Sequence, residues 1–370
     1  MKKLIFIMLF CFIFSFSVSA AETDIYEEQY EISGAEEIND FLDDETRNFL
    51  EINGIDPKNP DWVNSIKNEN IISHIIDFIK SGAKAPARAA AAIIGIILIS
   101  AAVTAFGEQT GRFEPALFAA TLAVGGVIAA DIWGVVSSAA EALKGTSYFM
   151  LSFVPVFVGV VSMSGGAITS AAMGGLLIGG AEAVSSLASF FVLPAMGGYL
   201  SISICSTVSP LLNNSNIAAA IKKVTLWTLS FVTTLFLGIL SIQTAVNSSA
   251  DSMSVRTARF ILGTSVPIAG NTLAEAFTTV TASVSLLRSS VGIYGVVALA
   301  VMFLPVIIEL VLWRITLLLT GTVSTAFSLP KISGLLKAVD DMISLLLATV
   351  LLVAGMFIIS LTVVISAGKM

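Results

Sequence analysis

From Ala89 onward the chain is a series of long apolar runs separated by short polar breaks. Ala89–Phe106 and Pro115–Val136 flank a loop carrying Glu108, Arg112 and Glu114, and Tyr148–Gly165 is a third run. Ala167–Leu212 is long enough for two crossings of a bilayer and breaks near Pro194, Gly197 and Gly198. Val224–Val246, Val291–Trp313 and Met342–Ala367 are clear runs. Gly263–Leu287 is the weakest, because it carries Asn271, Glu275 and many hydroxyls, and Ile315–Leu329 is short enough for a re-entrant piece. A membrane-crossing helix needs about 20 apolar residues, so the pattern predicts about seven to nine membrane segments. The runs are continuous and do not alternate, which excludes a transmembrane barrel. Inside lipid the backbone must satisfy itself, and that leaves helices. The expected fold is all-α, a polytopic helical integral membrane protein.

Ahead of this body the pattern changes. Residues 21–80 are polar with helical patches, among them Ile38, Phe41, Leu42 and Phe49, and "DPKNPDW" (Asp56–Trp62) reads as a turn-rich break. Ile71, Ile72, Ile75, Ile76 and Ile79 then share one helix face. That face suits either the membrane surface or the interior of a small helical domain. Ile332, Leu335, Leu336 and Val339 have the same spacing and predict an interfacial helix over Lys331–Asp341.

The N-terminus changes the reading of what precedes the body. Lys2 and Lys3, an apolar stretch from Leu4 to Phe16, and "VSA" (Val18–Ala20) form a secretory signal. The alternative is an uncleaved first helix, for which the stretch is short. The expected organisation is a signal peptide over 1–20, an acidic extracytoplasmic segment over 21–84 and a polytopic membrane domain over 85–370. Residues 21–80 hold 16 acids and four basic residues, while the chain after residue 80 holds 10 acids and 13 basic residues. Nothing is basic enough for nucleic acid. Loop charges do not fix the orientation. Lys222, Lys223 and Arg288 suit the cytoplasm, whereas simple alternation places Lys84, Arg88, Arg256 and Arg259 outside.

Composition adds that the chain is 56% hydrophobic and 12% charged, too apolar to cover itself in water. Against that background four carboxylates are candidates for intramembrane function: Glu182, Glu275, Glu309 and Asp131. A carboxylate at the centre of a membrane helix costs about 2.5–3.5 kcal/mol on insertion scales, which favours an interior or a watery cavity. Glu182 and Glu275 also share a phrase: Ala-Glu-Ala, one apolar residue, then two hydroxyls. A duplicated pair of polar helices lining a substrate path is a transporter pattern. The competing reading is chance in Ala-rich helices, or pairing with Arg256, Arg259 or Arg314. Gly175 and Gly179, one turn apart, are candidates for close helix packing, within the chain, between copies of it or against other subunits.

Several chemistries lack their residues. There is no G-x-x-x-x-G-K-[ST] and no H-E-x-x-H, and the one His, His74, precedes the membrane body. Cys11 falls within the signal, so Cys205 is the one cysteine expected in the mature chain, and neither an intrachain disulfide nor a metal site can be built. No cofactor is expected, and an enzyme is the least favoured class.

"FVPVFVGVVSMSGGAITSAA" (Phe153–Ala172), "RTARFILGTSVPIAGNTLAEAFTTV" (Arg256–Val280) and "LLRSSVGIYGVVALAVMFLPVIIEL" (Leu286–Leu310) resemble the stage III sporulation protein AE family of endospore-forming bacteria. Asn271 stands where the family pattern has a small residue. The resemblance covers residues 85–367, and residues 21–80 show no match. It implies a multi-pass subunit, platform or conduit, of a secretion-like channel in the mother-cell membrane around the forespore. The implied partners are ring-forming subunits and a secretion-type ATPase. The rival expectation is an independent secondary transporter using the intramembrane carboxylates.

Overall fold

A computed structural model describes residues 23–59, 62, 68–107, 114–208, 215–265 and 270–366. The expected signal peptide lies outside them. All regular structure among the described residues is helical. The helices are α1 (Thr23–Ile32), a 3₁₀ helix (Ala35–Phe41), α2 (Asp44–Ile52), α3 (Asn68–Gly82), α4 (Lys84–Gly107), α5 (Glu114–Met163), α6 (Ala167–Leu187), a π turn (Ala188–Val192), α7 (Leu193–Val208), α8 (Ser215–Ser265), α9 (Gly270–Ala326) and α10 (Pro330–Ser366).

Six helical runs are long and apolar enough to cross a membrane: Ile72–Ala105, Pro115–Met163, Ala167–Ser203, Ala219–Ile261, Phe277–Ala326 and Pro330–Ser366. The sequence pattern suggested more, because segments that read as separate are fused. Pro115–Val136 and Tyr148–Gly165 lie in the single 50-residue α5. The intervening polar residues do not break it, because they satisfy themselves on the helix: Thr146 Oγ1 donates to Ala142 O at 2.6 Å and Ser147 Oγ to Leu143 O at 2.7 Å. Gly263–Leu287, Val291–Trp313 and Ile315–Leu329 likewise fall largely within the 57-residue α9. The break expected near Pro194 is real but mild. Proline lacks an N–H, and the chain answers with the π turn directly before it. The expected interfacial helix at Lys331–Asp341 is the start of α10, and its apolar face, Ile332, Leu335, Leu336 and Val339, is fully buried.

The centre of the bundle is the antiparallel pair α9–α10. A Cβ added at Gly292 would lie 2.4 Å from Ile365 Cγ1, and one at Gly321 would lie 3.9 Å from Leu336 Cβ. α5 packs on the same side of α9. Phe149, Phe153 and Phe157 are one turn apart on α5 and stack at 5.3 and 5.4 Å between ring centroids. Their flat edge needs a flat counterpart, and Gly295 supplies it: a Cβ there would sit 2.4 Å from Phe153 Cζ. α4 pairs with the first part of α5, where Arg88 meets Asp131 at 3.8 Å. α6 and α8 close the other side, with Gly174 against Val158 and Gly180 against Phe236.

The N-terminal segment docks onto α9. Trp62 is fully buried, and its indole Nε1 donates to Ser290 Oγ at 3.0 Å. Ser290 Oγ in turn donates to Pro57 O at 3.3 Å, and Tyr26 OH donates to the same carbonyl at 2.7 Å. Tyr294 OH donates to Asn39 Oδ1, and its ring meets Trp62 edge-to-face at 6.5 Å. Burial pushes the Tyr26 phenol up to about 12. α3 then runs along α9. Its isoleucine face is only partly covered: Ile72, Ile76 and Ile79 are exposed, while His74 packs against Phe49 at 5.3 Å.

The close approaches give a direct test. Gly295→Val must push Phe153 aside and is expected to destabilise the detergent-solubilised protein by about 1–3 kcal/mol. A Cβ at Gly355 meets nothing within 4 Å, so Gly355→Ala should leave the thermal unfolding midpoint unchanged or slightly raised.

Candidate functional site

Charge in this bundle is concentrated in two layers. At one end, Asp340 and Asp341 project from α10 in different directions. Arg314 of α9 donates through Nε to Asp340 at 3.1 Å, and Lys222 of α8 donates to Asp341 at 2.5 Å. The Arg88–Asp131 pair belongs to the same layer. Ile128, Ala129 and Ile132, around Asp131, line a small cavity whose far wall is Leu335 and Val339. Each of the three cations thus meets a carboxylate from another helix: α8, α9 and α10 are tied together through Asp340 and Asp341, and α4 is tied to α5 through Asp131.

The second layer lies near the other end. Asp251 of α8 is 7% exposed, and its two oxygens accept the backbone N–H groups of Ile168 and Thr169 at 3.0 and 2.9 Å. These belong to the first turn of α6. That turn cannot cap itself, because Gly166 occupies the N-cap and offers no side chain. Asp251 therefore supplies from a distant helix the acceptor and the negative charge that a helix N-terminus favours. The turn before it fits closely. Gly165 has φ +89°, and a Cβ there would lie 2.6 Å from Val255 Cγ2. Beside this cap, Arg288 of α9 is 4% exposed and donates through Nη2 to Val364 O of α10. Asp251 is the carboxylate whose field reaches it.

Between the layers α10 has no charged residue from Met342 to Ser366, and α8 has none from Val224 to Ala250. From Asp340 to Val364 the helical rise gives about 36 Å, enough for the hydrocarbon core of a bilayer.

The four candidate carboxylates are scattered over this frame. Asp131 is paired in the first layer. Glu309 is half-buried in α9, and Glu182 and Glu275 are exposed on α6 and in the first turns of α9. None of these three enters an ion pair among the described residues, and Arg314 is taken by Asp340. Glu182 and Glu275 are not brought to a common cavity. Thr278 and Thr279, the hydroxyls that follow Glu275, turn back to the carbonyls of Ala274 and Glu275. Gly175 and Gly179 face outward, with nothing within 4 Å of an added Cβ. Within the chain, the close packing of that stretch falls on their neighbours Gly174 and Gly180. Among the described residues no group of three or more His, Cys, Asp or Glu could hold a metal.

Of the acids that organise charge, sequence reasoning singled out Asp131 and missed Asp251, Asp340 and Asp341. Asp251 had a signal: it is the one acid between Glu182 and Glu275, set in a hydroxyl-rich stretch. Asp340 and Asp341 had another, as adjacent acids on the outer side of an otherwise apolar helical stripe.

Six long apolar helices, antiparallel packing through glycine and charges gathered near the ends define a multi-pass helical membrane protein. A family model for stage III sporulation protein AE matches residues 63–368, and the chain belongs to that family. Stage III sporulation protein AE of Bacillus subtilis (strain 168) is 28% identical over 236 residues, which are 64% of this chain and 59% of that protein. The match therefore spans less than two thirds of that relative's length. No solved structure matches.

The remote cap makes a specific prediction. Asp251→Ala strips the first turn of α6 of its acceptor and should cost about 1–2 kcal/mol. Asp251→Asn keeps one oxygen acceptor and should recover most of that loss. Both are read as shifts of the thermal unfolding midpoint in detergent.

Proposed function

We propose that this chain is a membrane subunit, platform or conduit component, of a secretion-like channel between mother cell and forespore. The carrying observation is the family match, which covers the whole membrane body. In this reading the protein sits in the mother-cell membrane around the forespore. Its acidic N-terminal segment projects into the intermembrane space, where it meets ring-forming subunits. Energy comes from a separate secretion-type ATPase, in keeping with the lack of a P-loop in this chain.

The distribution of cations supports this orientation. Lys84, Arg88, Lys222, Lys223, Arg314, Lys331 and Lys337 belong to the layer of Asp340 and Asp341 or to the helix ends around it. Arg256, Arg259 and Arg288 belong to the opposite end, where Trp62 and Pro57 dock on Ser290. Under the positive-inside rule this distribution favours a first layer on the cytoplasmic side and a docked segment outside. Simple alternation along the sequence had divided these residues differently. It placed Lys84 and Arg88 on the side opposite Lys222, whereas Arg88 pairs in the layer of Arg314.

The transporter reading has less support. It needs Glu182 and Glu275 on one path, and both side chains face outward on separate helices. Nothing in the arrangement indicates an enzyme.

Affinity purification of the tagged chain from sporulating cells tests the proposal. The full-length chain should bring down ring-forming and ATPase subunits. Deletion of residues 22–70 should abolish that capture and late forespore gene expression, while the body stays in the membrane. Transport of a solute by the purified chain alone in liposomes, lost on Glu182→Gln with Glu275→Gln, would overturn it.

A further inference from the structure

Between the two charged layers the remaining charges gather on one flank of the bundle. α8 and α10 carry none there, whereas α3 has Asp77 and Lys80, α5 has Glu141 and Lys144, α6 has Glu182 and α9 has Glu309. The ends of α3 place it between the layers. His74 packs on Phe49 in the segment docked at Ser290, and a Cβ at Gly82 would lie 3.4 Å from Leu312 Cδ1, close to Arg314. Glu309 is one turn from Leu312 and belongs to the same flank. Asp77 and Lys80 pair only with each other, at 3.3 Å, and both are exposed. Glu141 and Glu182 are exposed and Lys144 and Glu309 half-buried, and none of these four makes an ion pair among the described residues.

The outer face of α5 agrees with these charges. Ser138, Glu141, Tyr148, Ser152 and Ser162 follow one stripe of the helix, and none of them is buried. Gly145, Pro155 and Gly159 complete it, so no aliphatic side chain falls on this stripe from Ser138 to Ser162. The large apolar residues of α5, such as Ile132, Phe149, Phe153 and Phe157, point inward. α8 is the reverse: Trp227, Phe231, Leu235, Ile239, Ile242 and Val246 are all exposed. Lipid suits α8 but not the other flank, where each charge would cost about 2.5–3.5 kcal/mol in hydrocarbon. An apolar helix of a neighbouring protein would leave the same charges unmatched. Water satisfies either sign at any height and so accounts for all six together. Tilt does not remove the conflict. α3 and α8 both contact α9, so their axes are at most about 20 Å apart. Lifting one flank clear of a slab of about 36 Å while the other stays inside would need a tilt of about 60°, beyond the roughly 0–40° of membrane helices.

We propose that α3 and the outer faces of α5 and α6 form one wall of an aqueous path through the membrane, while α8 faces lipid. Further chains close the path, because one flank of a bundle cannot enclose water. The N-terminal segment, docked by Trp62 on Ser290, stands at the extracytoplasmic mouth. The solutes are polar, since the wall offers charges and hydroxyls along its length. The inference rests on the channel-subunit reading above and selects its conduit form.

The test is cysteine labelling of the full-length chain in open native membranes from sporulating cells, with Cys205→Ser alone as the background control. Tyr148 lies midway along α5 between Asp131 and Met163, and Leu235 and Ile239 bracket the corresponding point of α8 between Lys222 and Asp251. A membrane-impermeant methanethiosulfonate reacts with the thiolate, which lipid suppresses. Tyr148→Cys, Ser152→Cys and Ile76→Cys should therefore react about tenfold or more faster than Leu235→Cys and Ile239→Cys. Pelleting after an alkaline carbonate wash checks that each variant is inserted. Cysteines on α5 and α3 as slow as those on α8 would overturn the path and leave the platform form standing. Fast labelling on α8 as well would overturn the division into wet and lipid flanks, and release of the chain by carbonate would overturn the embedded reading with it. Fast α5 and α3, slow α8 and no capture of ring or ATPase subunits would overturn the channel reading alone.

Discussion

The antiparallel seam of α9 and α10 holds everything else in register. At one end of it Arg314 meets Asp340, and at the other Arg288 meets the Val364 carbonyl. One turn from Arg288 the seam closes at Gly292, where an added Cβ would run into the Ile365 side chain. Each further element attaches to this pair by a residue already fixed in it. α5 attaches through Phe153 on Gly295, α8 through Lys222 on Asp341, and the N-terminal segment through Trp62 on Ser290. Apolar helices in lipid gain little from merely touching, since lipid is equally apolar. What sets the seam is close approach at Gly292 and charge-assisted hydrogen bonds at its two ends.

That division also explains where the charges are. An ion pair at the end of a bundle keeps access to water and headgroups, so its desolvation is partial and its hydrogen bonds are retained. Asp251 shows the stricter case. It is nearly inaccessible, yet two backbone donors and the start of a helix compensate it. Helix length adds a second consideration. α5 and α9, at 50 and 57 residues, measure about 75 and 85 Å by helical rise, far beyond a 30 Å hydrocarbon core. Both helices must therefore run outside the lipid. The N-terminal segment covers one such stretch of α9, where every residue from Leu287 to Val296 is buried.

The helical class was legible in the sequence because it follows from hydropathy and backbone satisfaction, which are local. The number of runs was not. A polar break such as Ser137–Ser147 looks like a loop when read by composition, but Thr146 and Ser147 bond back to their own helix and keep it continuous. Faces were legible where a period was clean: Ile332, Leu335, Leu336 and Val339 are buried as their spacing requires. The glycines in "GGLLIGG" show the limit. The i, i+4 pair Gly175 and Gly179 is the one that spacing selects, yet inside the chain Gly174 and Gly180 make the close contacts. Spacing finds a face but does not say which neighbour it meets. The N-terminal docking was illegible for the same reason, since Trp62 and Ser290 are 228 residues apart.

The carboxylates carry this lesson to function. Sequence ranks Glu182 and Glu275 together because they share a phrase, but pairing is decided by what stands across from each. Asp131, Asp251, Asp340 and Asp341 have partners on other helices and thereby become part of the scaffold. Glu182, Glu275 and Glu309 have no ion pair among the described residues and stay outside that scaffold. Whether an acid joins the scaffold is set by the helix packed opposite it, which no spacing along its own helix reveals.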